Sequence, residues 1–501
     1  MSVAPVELIL KDYEELRAKR SKLNELIKQY KIYTKKTLGM GEVFDKSVID
    51  YEIYATLGFQ SYLWNDSKPP TYTHNNPDIA EKEEVKAYYE AIAPIVSRQL
   101  LNNTDTGFPE MFTSLVRDWR NLGTGFAIVT TAPNLPFFTY SIDVENCYIG
   151  TDELGRVDRF FYLTGLHNAK NLHLDEEQEI LTLFYKEEGN WRSIVIDREK
   201  EQITNSKEFG AQPIFVARRN LRSGELYGLG NGLIGLDEIR DLNVLKQMIM
   251  KTVENNTLPP VAQREGVTFN NQYLDLSAGA HNIVSTTDGF GAGSSLPITP
   301  LVPFKSIQDQ LALYELVSSS LKDSYQFDRL IDLNTTGVMT ATESSYRENM
   351  RNTLFSSDCR LFYMNVLQPM HKTILYLAKK KGLLGSTSQM KNEFNIETSL
   401  VIPDVIQDDN TFLDVTITYH APATVGDYQS KMQNLTQSVQ FIAMVQDLVA
   451  KNPALAKYLD VDEITESFAK YSNTEEILKT LSAQEISSSY SLGQALSSIS
   501  I

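Results

Sequence analysis

The stretch GELYGLGNG, residues 224–232, is a glycine-dense run that opens a long helical pattern. From about Leu233 to Asn256, apolar residues recur at gaps of three and four, which places them on one face of an α-helix: Leu236, Ile239, Leu242, Leu245, Ile249 and Val253. The pattern stops at residues 258–260, LPP, because proline lacks a backbone N–H and disfavours helical geometry in the residue before it. The predicted helix has about 24 residues and is roughly 36 Å long.

A second helical pattern begins after Pro303 and runs to about Leu330. Its apolar positions have the same spacing: Ile307, Leu311, Tyr314, Val317, Leu321 and Tyr325. The residues between the two patterns are rich in Gly, Pro, Ser, Asn and Thr and contain only short β-like pieces. Two long helices that hold a protruding loop-rich insert predict a rod with a tip, which is not the layout of an enzyme pocket.

Length and composition predict a folded protein of two to four domains. The chain has 501 residues, 42% of them hydrophobic, and a net charge of −17. That charge disfavours a broad basic face for nucleic acid. No apolar run approaches the ~18 residues that cross a bilayer, so we expect a soluble protein that is not secreted. Cys147 and Cys359 lie far apart, which predicts two buried thiols in a reducing cytoplasm.

The rest of the chain alternates between helical and strand patterns. Helical patterns cover about 7–36, 47–58, 77–102 and 109–121, strand patterns lie within 136–218, and a long helix runs from 340 to about 381 with a kink at Pro369. Strand patterns recur at 399–402 and 412–419, and the chain is helical again from 424. The predicted fold class is α+β, mostly helical.

The first of these helices is basic in an acidic chain, with nine Lys/Arg against five Asp/Glu over Glu7 to Lys36. Its predicted apolar stripe is Leu8, Leu16, Leu23, Ile27 and Tyr30. The excess of positive charge fits either an arm that binds a partner or an ordinary solvated helix face.

No pattern in the sequence predicts catalysis, a cofactor or a metal site. Residues 230–235 satisfy GxGxxG, but the motif neither follows a strand directly nor lies in a βαβ unit, as dinucleotide binding requires. GxxxxGK[ST], HExxH and GxSxG are absent, and the six histidines have no metal-ligand spacing. Asp404, Asp408, Asp409 and Asp414 lack the order of an EF-hand, which favours a solvated turn.

Several stretches together resemble the portal, or head-to-tail connector, family of short-tailed phages. The longest is GELYGLGNGLIGLDEIRDLNVLKQMIMKTVENNTLPPVAQREG, residues 224–266, with a tyrosine-glycine turn, a long helix rich in Asn, Leu and Lys, and a proline stop. SLPITPL at 295–301, MTATE at 339–343 and NLGTG at 121–125 are also similar to the family. The order of elements agrees over nearly the whole chain.

The resemblance implies a portal-like architecture of wing, stem, clip and crown. Residues 1–231 form the N-terminal wing, 232–257 and 304–330 the two stem helices, and 258–303 the loop-rich clip between them. Residues 331–342 form a tunnel loop, 343–387 a long wing helix, 388–423 a wing β segment, and 424–501 a helical C-terminal crown.

The resemblance also implies a function and a set of partners. Portal proteins form a homo-dodecameric ring at one capsid vertex, through which double-stranded DNA is packaged by the terminase motor and later ejected. The implied partners are the terminase large subunit, which docks transiently, the head-tail adaptor and tail proteins, and the major capsid and scaffolding proteins, with no membrane. The implied location is the portal vertex of the virion, and the host cytoplasm during assembly.

Three groups of residues follow as candidates for this function. The tunnel-loop residues expected to touch DNA are Asn334, Thr335, Thr336, Val338 and Met339. Lys305 and Lys322 are candidates for facing the channel, with ion pairs between subunits as the alternative. The clip residues expected at the terminase and adaptor docking surface are Arg264, Glu265, Asn270, Asn271 and Tyr273.

Two other functions remain open from the sequence. One is another oligomeric virion protein, such as a head-tail adaptor, although the chain length and the helix–clip–helix order argue against it. The other is a nucleotide-dependent DNA-processing enzyme, which needs a phosphate-binding loop that the sequence does not contain.

Overall fold

The computed structural model describes residues 5–34, 43–64, 69–153, 155–164, 179–187, 189–265, 277, 279–285, 298–300, 306–326, 357–385 and 400–419. The chain divides into two compact units. The first comprises residues 1–61, 69–339 and 358–418 and holds nearly all the described residues; the second comprises 62–68, 340–357 and 419–501. In the second unit, the rings of Trp64 and Tyr419 lie 5.2 Å apart.

The first part of the chain is helical. α1 is Val6–Thr34, α2 is Ser47–Leu63, α3 is Pro77–Ala80, α4 is Glu83–Leu101 and α5 is Phe108–Asn121, with the short strand β1, Thr71–His74, before α3. The single helix predicted over 77–102 is therefore two helices. The break falls at Glu81 and Lys82, after a short helix that the Asn76 side chain caps by accepting from the Asp78 N–H.

Two antiparallel sheets follow. β2, Thr124–Ala132, lies between β3, Leu135–Ile142, and β9, Ile214–Arg218. The other sheet is a five-stranded meander in chain order: β4, Cys147–Thr151; β5, Val157–Thr164; β6, Ile180–Glu187; β7, Asn190–Asp197; and β8, Gln202–Phe209. β8 is exposed on both faces, so it has no alternation of apolar and polar residues to predict it.

α1 packs on the meander and closes one of its edges. The buried side chains of α1 are Ile9, Tyr13, Leu16, Arg20, Ile27 and Tyr30. Arg20 Nη1 donates to the Cys147 carbonyl, and the Ile149 N–H donates to the Tyr227 hydroxyl over 3.0 Å, so side chains satisfy the outer edge of β4. Leu8, predicted in the apolar stripe, is exposed, because the buried face follows Ile9 and Tyr13 instead.

The helices after the sheets are α6, Asn231–Ile234, and α7, Leu236–Thr257, followed by three short strands and α8, Gln308–Ser324. The strands are β10, Val261–Glu265; β11, His281–Ser285; and β12, Ile298–Pro300, with β10 in the centre. β10 is parallel to β11 and antiparallel to β12. α7 ends just before the LPP stop, as predicted.

α8 is shorter than predicted at both ends. It begins at Gln308 rather than just after Pro303, and it ends at Ser324 rather than near Leu330. Gln326 has a φ of +55°, a left-handed conformation that helices do not continue through. The apolar spacing up to Tyr325 gave no sign of this backbone reversal.

The described C-terminal part begins with a helix that changes its winding. Residues 357–362 are α-helical, Tyr363–Leu367 form a π-helical turn, and α9 is Gln368–Lys380. The kink predicted at Pro369 thus takes the form of a widened turn just before the proline, whose missing N–H disturbs the regular hydrogen bonds there. Gly382 and Gly385, both with positive φ, follow the helix where its end was predicted.

The segment predicted as strand over 412–419 is only partly strand. α10, Asp409–Leu413, is a short helix capped by the Asp408 carboxylate, and β13, Val415–Thr418, pairs antiparallel with β1. Lys379 in α9 is buried and lies 2.8 Å from an Asp409 carboxylate oxygen. The acidic run is therefore a helix cap and an ion pair as well as a turn.

The observed class is α+β, mostly helical, as predicted. The predicted helix start at Thr340 and the helices after 424 lie outside the described residues. Both cysteines are free and buried, as predicted, and burial raises the pKa of each thiol. No helix in the described ranges has the length and apolar character that crossing a membrane requires.

Candidate assembly surface and its anchorage

α7 and α8 form an antiparallel pair. Near the start of α7, a Cβ built on Gly235 would lie 2.8 Å from Cδ1 of Leu321, which is near the end of α8. Near the end of α7, Thr252 Oγ1 accepts a hydrogen bond of 3.4 Å from Gln310 Nε2, at the start of α8. The rod of two helices predicted from the sequence is therefore present, with the three strands β10 to β12 connected to its far end.

Among the described residues of the pair, those that are buried lie at one end. The buried residues of α7 are Leu236, Ile239 and Leu242, all in its first two turns. The buried residues of α8 are Ser318 and Leu321, both in its last two turns. The helix pair is thus anchored where α7 begins and α8 ends, and its other end projects.

The projecting part of the pair carries seven exposed large apolar side chains, each at least 39% exposed: Val244, Met248, Met250 and Val253 on α7, and Leu311, Leu313 and Leu316 on α8. We call these seven residues the exposed apolar surface of the helix pair. Single exposed apolar residues are ordinary, but a concentration on one projecting element marks an interaction site.

Three hydroxyl hydrogen bonds fix one face of α8 and the residue after it to α1, α2 and the segment before α2: Tyr314 to Asp45 Oδ2 at 2.6 Å, Ser318 to Tyr51 at 3.1 Å, and Tyr325 to Tyr30 at 2.8 Å. Tyr314, Ser318 and Tyr325 are spaced by four and seven residues, which places them on one side of the helix. These hydrogen bonds lie within a hydrophobic cluster that includes Tyr51, Leu321 and Tyr325, so the contact combines apolar burial with hydrogen bonds of defined geometry.

The end of α8 is held by a buried polar network. Tyr30 donates to Glu52 over 3.3 Å while it shares its other hydrogen bond with Tyr325, and Arg120 Nη2 donates to the Tyr325 carbonyl. Burial raises the pKa of both tyrosines and that of Glu52. Burial also raises the pKa of nearby Asp118 to about 7. Low polarity therefore keeps these hydroxyls neutral and able to donate.

The start of the helix pair is fixed by a crossing of glycine backbones. Gly123 has a φ of +82°, and a Cβ there would lie 2.4 Å from the Gly230 nitrogen. A Cβ on Gly228 would lie 2.2 Å from the carbonyl oxygens of Gly123 and Arg219. The Arg219 N–H donates to the Gly123 carbonyl over 2.8 Å. Gly123, Gly228 and Gly230 are thus required by close backbone approach.

The GxGxxG match is explained by the same packing. A Cβ on Gly232 would lie 2.5 Å from the Tyr30 ring, and a Cβ on Gly230 would lie 2.3 Å from the Asn121 backbone. The chain itself fills the space in front of these glycines. Among the described residues, no group of three or more His, Cys, Asp and Glu side chains is placed to hold a metal ion.

The predicted site residues are distributed as follows. Lys322 is on α8, and its ammonium lies 6.0 Å from the centre of the Tyr51 ring, so in the single chain it contacts α2. Arg264 and Glu265 are the last residues of β10, paired in register with Val284 and Ser285. The others lie outside the described residues: Lys305, Asn270, Asn271, Tyr273, Asn334, Thr335, Thr336, Val338 and Met339.

Sequence reasoning missed the residues that anchor the pair. Tyr314 and Tyr325 were included in an apolar stripe, but their hydroxyls form hydrogen bonds. Arg120 bonds a carbonyl 205 positions away, and no local pattern predicts such a contact. The spacing of Tyr314, Ser318 and Tyr325 on one helix face was the only available signal.

Comparison with known protein families identifies the family of this chain. Residues 70–477 match the family described as bacteriophage head to tail connecting protein. The chain belongs to this family. The predicted resemblance to head-to-tail connectors is therefore confirmed, and the family is one of structural components of phage particles.

Two solved structures similar to this head-to-tail connecting protein come from a gene transfer agent. The neck of the native particle, computed with C12 symmetry, has 12% identity, a TM-score of 0.30, and coverage of 60% of this chain and 78% of that chain. The virion of the native particle has 12% identity, a TM-score of 0.28, and coverage of 66% and 86%. A comparison with curated proteins gave no match.

Proposed function

We propose that this connecting protein is a portal subunit, which assembles into a dodecameric ring at one capsid vertex. The ring would be the channel through which the terminase motor packages double-stranded DNA and through which DNA is ejected. It would also attach the head-tail adaptor and tail proteins. The role is structural, without catalysis.

The observation that carries the proposal is the exposed apolar surface of the helix pair. Burying one such side chain fully is worth about 1.5–3 kcal/mol, so seven on one projecting element strongly favour a partner. These residues are on both helices of the pair. A helix pair that contacts one neighbour through one side and another neighbour through the other side forms a head-to-tail interface, and such an interface gives a closed ring when the rotation between subunits closes.

The remaining assignments follow the order of elements along the chain. We assign the helix pair to the stem, residues 258–303 to the clip and 331–342 to the tunnel loop, with the wing and crown as given by the resemblance. Arg264, Glu265, Asn270, Asn271 and Tyr273 would then dock the terminase and the adaptor. The net charge of −17 suits a channel in which DNA must slide rather than bind tightly.

We assign weak DNA contact to Asn334, Thr335, Thr336, Val338 and Met339, whose small polar and apolar side chains resist back-slippage without strong phosphate contacts. Deleting residues 331–342 should lower DNA retention in packaged capsids, measured as the fraction of full heads after nuclease treatment. Unchanged packaging and retention in the deletion variant would contradict this role.

Electron microscopy of the purified protein tests the ring directly, with class averages scored for rotational symmetry. We expect rings with a central hole and about twelve-fold symmetry. In Leu316→Glu, a charge replaces the most exposed apolar residue of the surface, so the rings should be lost while the monomer remains folded.

Leu8→Glu is the matched control, because Leu8 is similarly exposed but lies on α1, away from the helix pair. It should assemble as the unmodified protein does. A stable dimer with no ring at any salt concentration would contradict the portal assignment and favour a head-tail adaptor. Rings that form equally well with Leu316→Glu would show that the helix pair is not the subunit contact.

A further inference from the structure

A small cavity of about 260 Å³ lies where α1, α2 and α5 meet in the first unit. Its polar lining includes Lys31 from α1, Glu52 from α2, and Asp118 and Asn121 from α5. The volume is just below the roughly 300–1,000 Å³ of ordinary small-molecule pockets. The cavity therefore suits a group of about the size of one long side chain, and none of the exposed apolar surface of the helix pair lines it.

The Asn121 side chain is buried in the wall of this cavity without a hydrogen-bond partner. The residue is 1% exposed, and neither its Oδ1 nor its Nδ2 has a partner among the described residues. Asn121 follows Asp118 by three positions and Arg117 by four, so the three side chains share one face of α5, and all three line the cavity. A buried amide without a partner is costly, which indicates a polar occupant.

The partly buried Asp118 carboxylate has no basic partner in the described part of the chain. The nearest candidate, Lys31, is engaged elsewhere: its Nζ lies 2.5 Å from an Asp143 oxygen and 2.6 Å from a Glu145 oxygen. Two carboxylates already neutralise this ammonium group, so it leaves the Asp118 charge uncompensated.

Glu52 makes the lining more acidic. Its Oε2 accepts from the Tyr30 hydroxyl, and its Oε1 lies 3.7 Å from Nε of Arg117, whose side chain is 45% exposed. An exposed ion pair at this distance is weak. Asp118, Glu52 and the two carboxylates on Lys31 thus share two basic side chains, and the group that would balance them is a cation.

The arrangement of acceptors favours an organic cation. The described residues offer no group of three or more His, Cys, Asp and Glu side chains that could hold a metal ion. The Asp118 carboxylate and the Asn121 amide oxygen instead suit the N–H donors of a guanidinium or an ammonium group. Ile49 and Ile53 also line the cavity, and Ile53 is 39% exposed, so an apolar wall for an alkyl stem reaches the surface.

We propose that this cavity binds an alkyl guanidinium or alkyl ammonium group. The charged head would bind Asp118 and Asn121, and the alkyl stem would pack on Ile49 and Ile53. A free alkyl amine or guanidine has this chemistry, and so does the Arg or Lys side chain of a neighbouring copy. The site does not depend on the proposed ring, since all its lining belongs to one chain.

Isothermal titration calorimetry of the full chain with butylguanidinium chloride at pH 8 tests the proposal. We expect saturable binding that Asp118→Asn weakens at least tenfold, because a charge-assisted, bidentate pair is lost. Asp50→Asn is the matched control: it makes the same change at an exposed position of α2 that does not line the cavity, and it should leave binding unchanged. Tetramethylammonium, which has the same charge but no N–H donor, should not bind.

A second variant tests the apolar wall and guards against a folding defect. Ile53→Ser shortens that wall at a partly exposed position. It should weaken the binding of butylguanidinium more than that of methylguanidinium, since only the longer stem reaches the wall. The thermal unfolding midpoint of Asp118→Asn should not fall, because the variant removes an unpaired charge rather than an ion pair.

The affinity should follow the ionisation of Asp118. The charged and titratable groups that face it come from α1, α2, α5 and the residue after β3: Tyr30, Lys31, Glu52, Arg117 and Asp143. Burial is the main cause that raises the pKa of Asp118 to about 7, so the ionised fraction rises from about one-tenth at pH 6 to about nine-tenths at pH 8. Binding should strengthen up to about tenfold over that range, and the response should be smaller in Asp118→Asn.

A further arm distinguishes the two sources of the cation. Mass photometry compares self-association of the unmodified chain and of Asp118→Asn. Weaker assembly of the variant would assign the cavity to a side chain of a neighbouring copy, whereas equal assembly, or none in either protein, would assign it to a free cation. No saturable binding of butylguanidinium, or equal binding by Asp118→Asn, would overturn the proposal.

Discussion

His371 on α9 is buried against β1, and its Nε2 shares a hydrogen bond of 2.8 Å with the Tyr72 hydroxyl. Burial lowers the pKa of His371 to about 3, because the charged imidazolium is poorly solvated there. Protonation of His371 is therefore coupled to the free energy of unfolding. The rings of His371 and Tyr72 also lie in contact, with 5.5 Å between their centroids.

Lowering the pH should therefore destabilise the fold through this residue. Above pH 6.5 both folded and unfolded states hold a neutral His371, and between 6.5 and about 3 only the unfolded state binds the proton. The free energy of unfolding should fall by up to about 1.4 kcal/mol per pH unit over that window. Urea unfolding at several pH values, compared between the unmodified chain and His371→Gln, measures the slope.

The difference between the two proteins is the informative quantity, since other groups titrate in the same range. Asp118, whose pKa burial raises to about 7, acts in the opposite direction, because its folded form binds a proton first as the pH falls. The contribution of Asp118 is the same in the unmodified chain and in His371→Gln, so it cancels when their free energies of unfolding are subtracted. Parallel pH profiles for the unmodified chain and His371→Gln would show that His371 is not the linked group.

At the scale of elements, the crossing of Gly123 with the glycines before α6 decides where the helix pair starts. Gly123→Ala places a methyl group 2.4 Å from the Gly230 nitrogen at a φ of +82°. We expect it to lower the free energy of unfolding by about 2–5 kcal/mol, through backbone strain and overpacking together. Thermal and urea unfolding of the purified variant measure the loss.

Gly224→Ala separates the two causes. Gly224 has nearly the same backbone conformation, with a φ of +84°, but a Cβ there meets no atom within 4 Å. Gly224→Ala should lower the free energy of unfolding through backbone strain alone, by about 1–2 kcal/mol. Equal losses for the two variants would mean that the crossing of the backbones adds no constraint.

Elements were predicted well where one local rule decided them. The end of α7 follows from two prolines, and the end of the α9 helix follows from Gly382 and Gly385. Elements were predicted poorly where the deciding contact is distant or absent from the pattern. The end of α8 depends on the backbone reversal at Gln326, and β8 has no buried face to impose a period.

At the scale of the whole molecule, the family was predictable from the sequence and the anchoring contacts were not. The GELYGLGNG and LPP stretches carried the resemblance, and the family match confirms it. By contrast, β1 pairs with β13 across more than 340 residues, and Arg120 bonds Tyr325 across 205. Apolar spacing says which face of a helix is buried, but it does not say which distant side chain completes a hydrogen bond.

In the described part of the chain, the buried residues of the helix pair lie at one end, which has a mechanical consequence. α7 is about 33 Å long, and its buried residues span only the roughly 9 Å from Leu236 to Leu242. The helix is therefore held over a short segment at its start. If the helix tilts so that the two ends of this buried segment shift by about 1 Å relative to each other, the far end of α7 moves by roughly 3–4 Å, in the ratio of the two lengths. A small displacement among Tyr30, Tyr325 and Arg120 would therefore be larger at the connection to β10.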